Sequence, residues 1–174
     1  MIREVRQELR AKAQRGDAEA FAGLIAPHAA FIFAVVRRCL LSEAAALEVL
    51  EASALDLFAE RDQWTEGLDR EWLRRAARRA FSRAPPGTAA APELAAAPLA
   101  GRDWPEDSEA LRPALEASLR ELPAGARTAV VLRDAGGLED GEIAAASGLE
   151  ALAARRLVHT GRCALTRAID RSLS

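Results

Sequence analysis

Tyrosine is absent from this chain of 174 residues, and methionine and lysine occur once each. Threonine and isoleucine number five apiece. Sheets draw on β-branched and aromatic residues, so this scarcity argues against a strand-built protein. Cysteine is nearly as rare: Cys39 and Cys163 stand alone, with no CxxC pair. That excludes a disulfide framework and a zinc finger and fits a reducing compartment. Two lone cysteines, each on a helical apolar stripe, read as core residues. The amino terminus carries no charged-then-apolar stretch ending in a small-residue cleavage site, so secretion is not expected and a cytoplasmic location is. No uninterrupted apolar run nears the ~20 residues that span a bilayer, so membrane insertion is not expected either.

What is present points one way. Alanine supplies 41 residues and arginine 23, with leucine and glutamate also common. These are strong helix formers, and the expected fold is all-α. Half the residues are apolar, 29% are charged and the net charge is −2, a balance typical of globular chains. The length allows one domain or two small ones, at roughly 100–200 residues per domain.

The charge is unevenly laid out. Residues 1–83 carry 14 basic and 13 acidic side chains, and residues 108–174 carry nine of each. Between them, residues 84–107 have one arginine against four acids, together with Pro85, Pro86, Pro92, Pro98 and Pro105. Proline at that density removes helical hydrogen bonds and stiffens the chain, which predicts a linker between two helical units.

The first unit reads as four helices. One covers about 2–15 and stops at Gly16; Asp17 caps the next, whose apolar positions run from Phe21 to Cys39 and in which Pro27 predicts a bend. Ser42 caps a third, with Leu47, Leu50, Leu55 and Phe58 as its apolar stripe. The fourth, about 70–83, has Trp72, Leu73, Ala76, Ala77 and Ala80 for a core and six arginines. Arg70, Arg74 and Arg78 lie at i, i+4 spacing, as do Arg75 and Arg79. Like charges at that spacing oppose the helix, and a polyanion such as a nucleic-acid backbone would relieve them. A solvated face of an arginine-rich chain is the alternative.

The second unit predicts helices over about 109–121, 124–134 and 140–147, then a tight turn at Gly148 and a longer helix from about 151. Two helices joined by a short glycine turn are the pattern of a helix-turn-helix. On the last helix Ala154, Leu157, Val158, Gly161, Ala164, Leu165 and Ala168 form the inner stripe. Arg155, His159, Arg162 and Thr166 share the opposite face, with Arg156 beside them, as donors facing a major groove would. An ordinary helical hairpin has the same spacing.

The chain resembles the extracytoplasmic-function (ECF) sigma factors of bacterial RNA polymerase. The resemblance rests on Gly16-Asp17-x-x-Ala20-Phe21-x-x-Leu24, Arg37-Arg38-x-Leu40 and Trp72-Leu73-x-x-x-Ala77-Arg78. It continues in Leu119-x-x-Leu122-Pro123, Val130-x-Leu132-Arg133, Gly137-Leu138-x-x-x-Glu142-Ile143-Ala144 and Gly148-Leu149. It implies a region-two domain (1–83) that binds core polymerase and opens the −10 element, a linker (84–107), and a region-four domain (108–174) that reads the −35 element. Arg74, Arg75, Arg78 and Arg79 would hold −10 phosphates. Trp64, in the loop 62–69, would stack on a captured base, with a partly buried tryptophan as the alternative. Arg155, Arg156, His159 and Arg162 would contact the −35 element. Glu48, Leu50, Glu51 and Leu55 would face core polymerase.

The resemblance implies core RNA polymerase and promoter DNA as partners, with an anti-sigma factor as a further one. Its departures are Glu51, Ala52 and Ala54 in place of Gln, Glu and Phe on the clamp helix, and Glu139 and Glu150 in place of Ser or Thr caps. They admit a second function, a sigma-like adaptor or decoy acting through protein contacts. No HExxH, Walker-type loop, GxSxG or acidic metal cluster occurs, so neither an enzyme nor a cofactor or metal is expected. Cys163 and His159 lie one turn apart, but nothing in the sequence orients them as a catalytic pair.

Overall fold

The computed structural model describes residues 2–64, 67–84 and 108–173. Eight α-helices and one 3-10 turn make up its regular structure, with no strand among the described residues. The helices are α1 (Ile2–Gln14), α2 (Ala18–Leu40), α3 (Glu43–Ala59), α4 (Leu68–Arg83), α5 (Ser108–Glu121), α6 (Ala124–Asp134), α7 (Asp140–Ser147) and α8 (Ala151–Leu173). The expected all-α class is therefore observed. Residues 85–107, most of the expected linker, lie outside the described residues.

The helix boundaries follow local chemistry. Asp17 Oδ1 accepts from the Ala20 N–H at 3.0 Å and Ser42 Oγ from the Ala45 N–H at 3.2 Å, so both expected caps satisfy a first-turn donor. Gly148 ends α7 at φ +72°, a left-handed conformation that glycine adopts without strain. Pro27 does not interrupt α2, which is continuous over 23 residues. The residue four before it is Gly23, whose backbone has most freedom to accommodate the proline ring.

α2 is central and packs against α1, α3, α4 and α6. By length and composition it could cross a membrane, with a mean hydropathy of 1.8 over its best window. The interrupted run from Phe21 to Cys39 is thus longer in helical terms than an uninterrupted count suggests. Here its buried side chains, among them Phe21, Leu24, Ile32, Val35, Val36 and Cys39, build the protein core. Trp72 of α4 is 2% exposed and donates Nε1–H to Ser53 Oγ of α3 at 2.9 Å, tying two helices with a satisfied polar group.

The buried face of α3 is Ala46, Val49, Ser53 and Leu57. Leu47 and Leu55, placed in the apolar stripe by sequence, stand in solvent instead, Leu55 at 69% exposure. Leu50 and Phe58 are partly buried against the core. The alanine and serine at 46 and 53 decide the phase, because small residues let α2 and α4 approach; a stripe chosen by large side chains alone misses this.

The two halves of the chain share one hydrophobic core. Side chains of α2, α3 and α4 join those of α5 to α8, including Leu119, Val131, Leu132, Leu138, Ile143 and Val158. α6 lies on α2, and α7 lies on α4. α6 also lies against α8 at very short range: a Cβ at Gly161 would meet Val130 Cγ2 at 2.5 Å and the Ala126 carbonyl oxygen at 3.0 Å.

Candidate nucleic-acid interface

α4 carries the arginines, and its core residues fix which way they face. Trp72, Leu73, Ala76, Ala77 and Ala80 are all buried as expected. The arginines between them fall into three situations. Arg78 is exposed and makes no ion pair among the described residues. Arg79 is bidentate to Asp56 of α3, at 2.7 and 2.8 Å, which holds the Asp56 carboxyl below its usual range. Arg75 is 8% exposed. It donates Nη1–H to Glu71 Oε2 at 2.8 Å and Nη2–H to Glu60. Burial opposes its charge, and these two carboxylates restore it.

The remaining pair reaches the other half of the molecule. Arg70 donates Nε–H to Glu142 Oε1 at 2.8 Å and Nη2–H to Oε2 at 2.5 Å. Arg74 donates Nε–H to the same Oε1 at 2.6 Å and Nη1–H to Glu71 Oε1 at 2.7 Å. Glu142 belongs to α7, which the turn at Gly148 joins to α8. Its carboxylate also accepts the Glu139 N–H at 2.7 Å, which caps its own helix. Burial opposes ionisation, but the hydrogen bonds from Arg70, Glu139 and Arg74 prevail and bring its pKa down to about 2. Arg70 was seen in the sequence only as part of a stripe. Glu142 has a local signal, an acid three residues after Glu139, but its second role depends on the packing of α7 on α4.

The second half offers a separate face. Arg155, Arg156 and His159 of α8 are exposed. Arg155 lies 4.0 Å from Asp140 and keeps 77% of its side-chain surface. Arg162 is paired with Asp134, Nε to Oδ2 at 3.0 Å. Thr166, assigned by spacing to that face, is 4% exposed and donates to the Arg162 carbonyl at 3.0 Å. Cys163 approaches His159 Nε2 at 3.7 Å and is buried.

Trp64 sits inside the core. It is 8% exposed, its ring lies 5.5 Å from Phe21, and its Nε1–H is donated to the Leu57 carbonyl at 2.7 Å. Of the two roles open to it from sequence, this structure has the buried one; stacking on a base would require the ring to leave this pocket. Residues 65 and 66 of the same loop lie outside the described residues.

A third face is on α3. Leu47, Glu48, Glu51 and Leu55 are exposed along one side. Glu48 receives Arg83 Nη2 at 2.7 Å, and Leu50 is turned toward the core. Leu47, which its leucine pattern puts in the apolar stripe, belongs to this exposed side.

Among the described residues no group of three or more His, Cys, Asp and Glu side chains is placed to hold a metal ion. No family model matches the chain, and no curated protein sequence matches it. Solved structures do. The structure of CnrH in complex with the cytosolic domain of CnrY superposes with a TM-score of 0.61 at 19% identity, covering 96% of this chain and 98% of that one. CnrH is an ECF sigma factor, and this chain has its fold across both halves.

Proposed function

We propose that this chain is an ECF-type sigma factor, which binds core RNA polymerase and directs it to promoters. The observation that carries the proposal is the likeness to CnrH over nearly the whole of both chains. The three faces fit the division of labour. Residues 1–83 form the polymerase and −10 unit, 84–107 the linker and 108–174 the −35 unit. Leu47, Glu48, Glu51 and Leu55 form the polymerase surface, backed by Leu50. Arg74, Arg78 and Arg79 hold −10 phosphates, Arg78 being the one already free to do so, while Arg75, expected to join them, is buried between Glu60 and Glu71 and supports the helix from beneath. Arg155, Arg156, His159 and Arg162 address the −35 element. Such a protein works by binding, not catalysis, in the cytoplasm where polymerase acts. CnrH is seen with the cytosolic domain of CnrY, an anti-sigma domain, which supports an anti-sigma factor as a further partner here.

The test is binding of the purified chain to core RNA polymerase by fluorescence anisotropy, with Arg78→Glu as a control outside the clamp helix, followed by promoter-dependent run-off transcription. Binding that competes with a known sigma factor is the expected result. No binding at micromolar concentration overturns the proposal and leaves the adaptor function.

A further inference from the structure

The arginine face of α4 is neutralised from within: acids of the first half hold Arg75, Arg79 and Arg83, while Arg70 and Arg74 are held by Glu142 of the opposite half. We propose that Glu142 with Arg70 and Arg74 forms a latch that holds the two halves closed, and that a nucleic-acid backbone opens it by taking the place of the Glu142 carboxylate. The release step rests on the arginine face being a nucleic-acid surface, as proposed above; the latch itself does not.

Three observations carry it. First, the geometry is one that phosphate can copy. Arg70 forks onto both carboxylate oxygens and Arg74 shares one of them. Guanidinium groups take carboxylate and phosphate with the same planar fork. Second, the anion is needed. Arg70, Arg74 and Arg78 repel one another along α4, and only the first two are satisfied by Glu142. Exposed Arg78 is left as the first contact for an incoming backbone. Third, Glu142 is tethered to its own helix: it accepts the Glu139 N–H at 2.7 Å, so the carboxylate that Arg70 and Arg74 grip is held at the first turn of α7 and their pull is passed to that helix. The packing of α7 on α4, with Ile143 of α7 fully buried, keeps the closed form populated. The ion cluster is the part a polyanion can compete for.

Cys39 provides a readout independent of any function. It is fully buried where α2 meets α6, with Sγ 4.0 Å from the Thr128 carbonyl oxygen. Burial pushes its thiol up to about 12, so it is inert while the halves are closed. Cys163 is buried within the second half and is protected until that half itself unfolds.

The experiment is site-resolved labelling of the full chain with N-ethylmaleimide under native conditions. Glu142→Gln removes the charge but keeps the helix cap, because glutamine serves that position as glutamate does. Arg70→Gln attacks the latch from the other side with no cap at stake. Each is expected to speed Cys39 labelling, on the order of fivefold, without speeding Cys163. The double variant is expected to add little to Glu142→Gln. A single-stranded oligodeoxynucleotide is expected to speed Cys39 labelling in the unaltered chain. Unchanged Cys39 labelling in both variants, or an equal rise at Cys163, overturns the latch. Faster labelling in the variants but none with the oligonucleotide overturns release by nucleic acid while upholding the latch. The polymerase-binding assay decides the sigma-factor proposal separately.

Discussion

Arg127 of α6 donates its Nε–H to the main-chain carbonyl of Cys39, 2.9 Å away, and so ties the second half of the chain to the last turn of α2. Its Nη1–H reaches the Leu122 carbonyl at 3.1 Å, just past the end of α5. A helix ends in unsatisfied carbonyls and partial negative charge, and this buried guanidinium answers both for two helices at once. Burial lowers its pKa from a value so high that it stays charged. Arg127→Met leaves those carbonyls without their donor. The expected cost is about 2–3 kcal/mol, read as a lower urea midpoint with unchanged slope. A loss no larger than that of a surface arginine would contradict the assignment.

Arg78 and Arg75 differ in kind although they are three residues apart. Arg78→Ala is expected to leave the melting temperature in place, weaken promoter binding by holoenzyme and reduce its salt slope by about one. Arg75→Ala removes a buried cation from between Glu60 and Glu71 and is expected to destabilise the fold, by about 2 kcal/mol or more. Thermal melts of both variants beside salt titrations separate the two effects. Equal melting losses would remove the distinction. Arg78→Ala combined with Arg79→Ala is expected to abolish promoter opening.

On α3, Leu55→Arg tests the exposed stripe. Leu55 touches little in the free protein, so stability should hold, whereas an apolar anchor in a polymerase interface typically accounts for more than 1 kcal/mol. The expected outcome is at least about tenfold weaker binding to core polymerase with an unchanged melt. Unchanged binding would move the polymerase surface elsewhere.

The acid limb of stability should trace to Glu142. Its carboxyl titrates at about 2 when folded, against an ordinary value of 4.5. A depressed pKa means that the folded state favours the ion. The stabilisation is therefore complete above about pH 4.5 and is lost as pH falls from there toward 2. Asp56 and Glu71, also lowered by their arginines, act in the same direction. Urea midpoints are expected to be flat near neutrality and to fall over that acid window. Glu142→Gln should lie below the unaltered chain at pH 7 and converge with it near pH 2. A constant gap across the whole range would show that the charge of Glu142 is not involved.

Much of this architecture was legible in the chain itself. The breaks at Gly16, Ser42, Leu122-Pro123 and Gly148 are set by residues that act within one turn, and the helices α6 and α7 match their expected bounds. The core face of α4 was legible because tryptophan and alanine alternate with arginine at a clear period. The phase of α3 was not, because its buried positions are small and its exposed ones are leucines. Trp64 was ambiguous because a loop tryptophan has the same local surroundings whether it turns inward or outward; Phe21 and the Leu57 carbonyl, both remote in sequence, decide it. The pairing of Glu142 with Arg70 and Arg74 spans about seventy residues, and no local rule links them. It becomes visible only when α7 is laid on α4.

The contact at Gly161 has a mechanical consequence. With Val130 and the Ala126 carbonyl pressed against it, position 161 has room for hydrogen and nothing more, so α6 and α8 are geared together without slack. α6 also bears Arg127, whose grip is on the end of α2. A methyl group at 161 would act as a wedge, and its thrust would pass through α6 into the first half. The pitch of α8 and the seating of one half on the other are thus two readings of a single gear train.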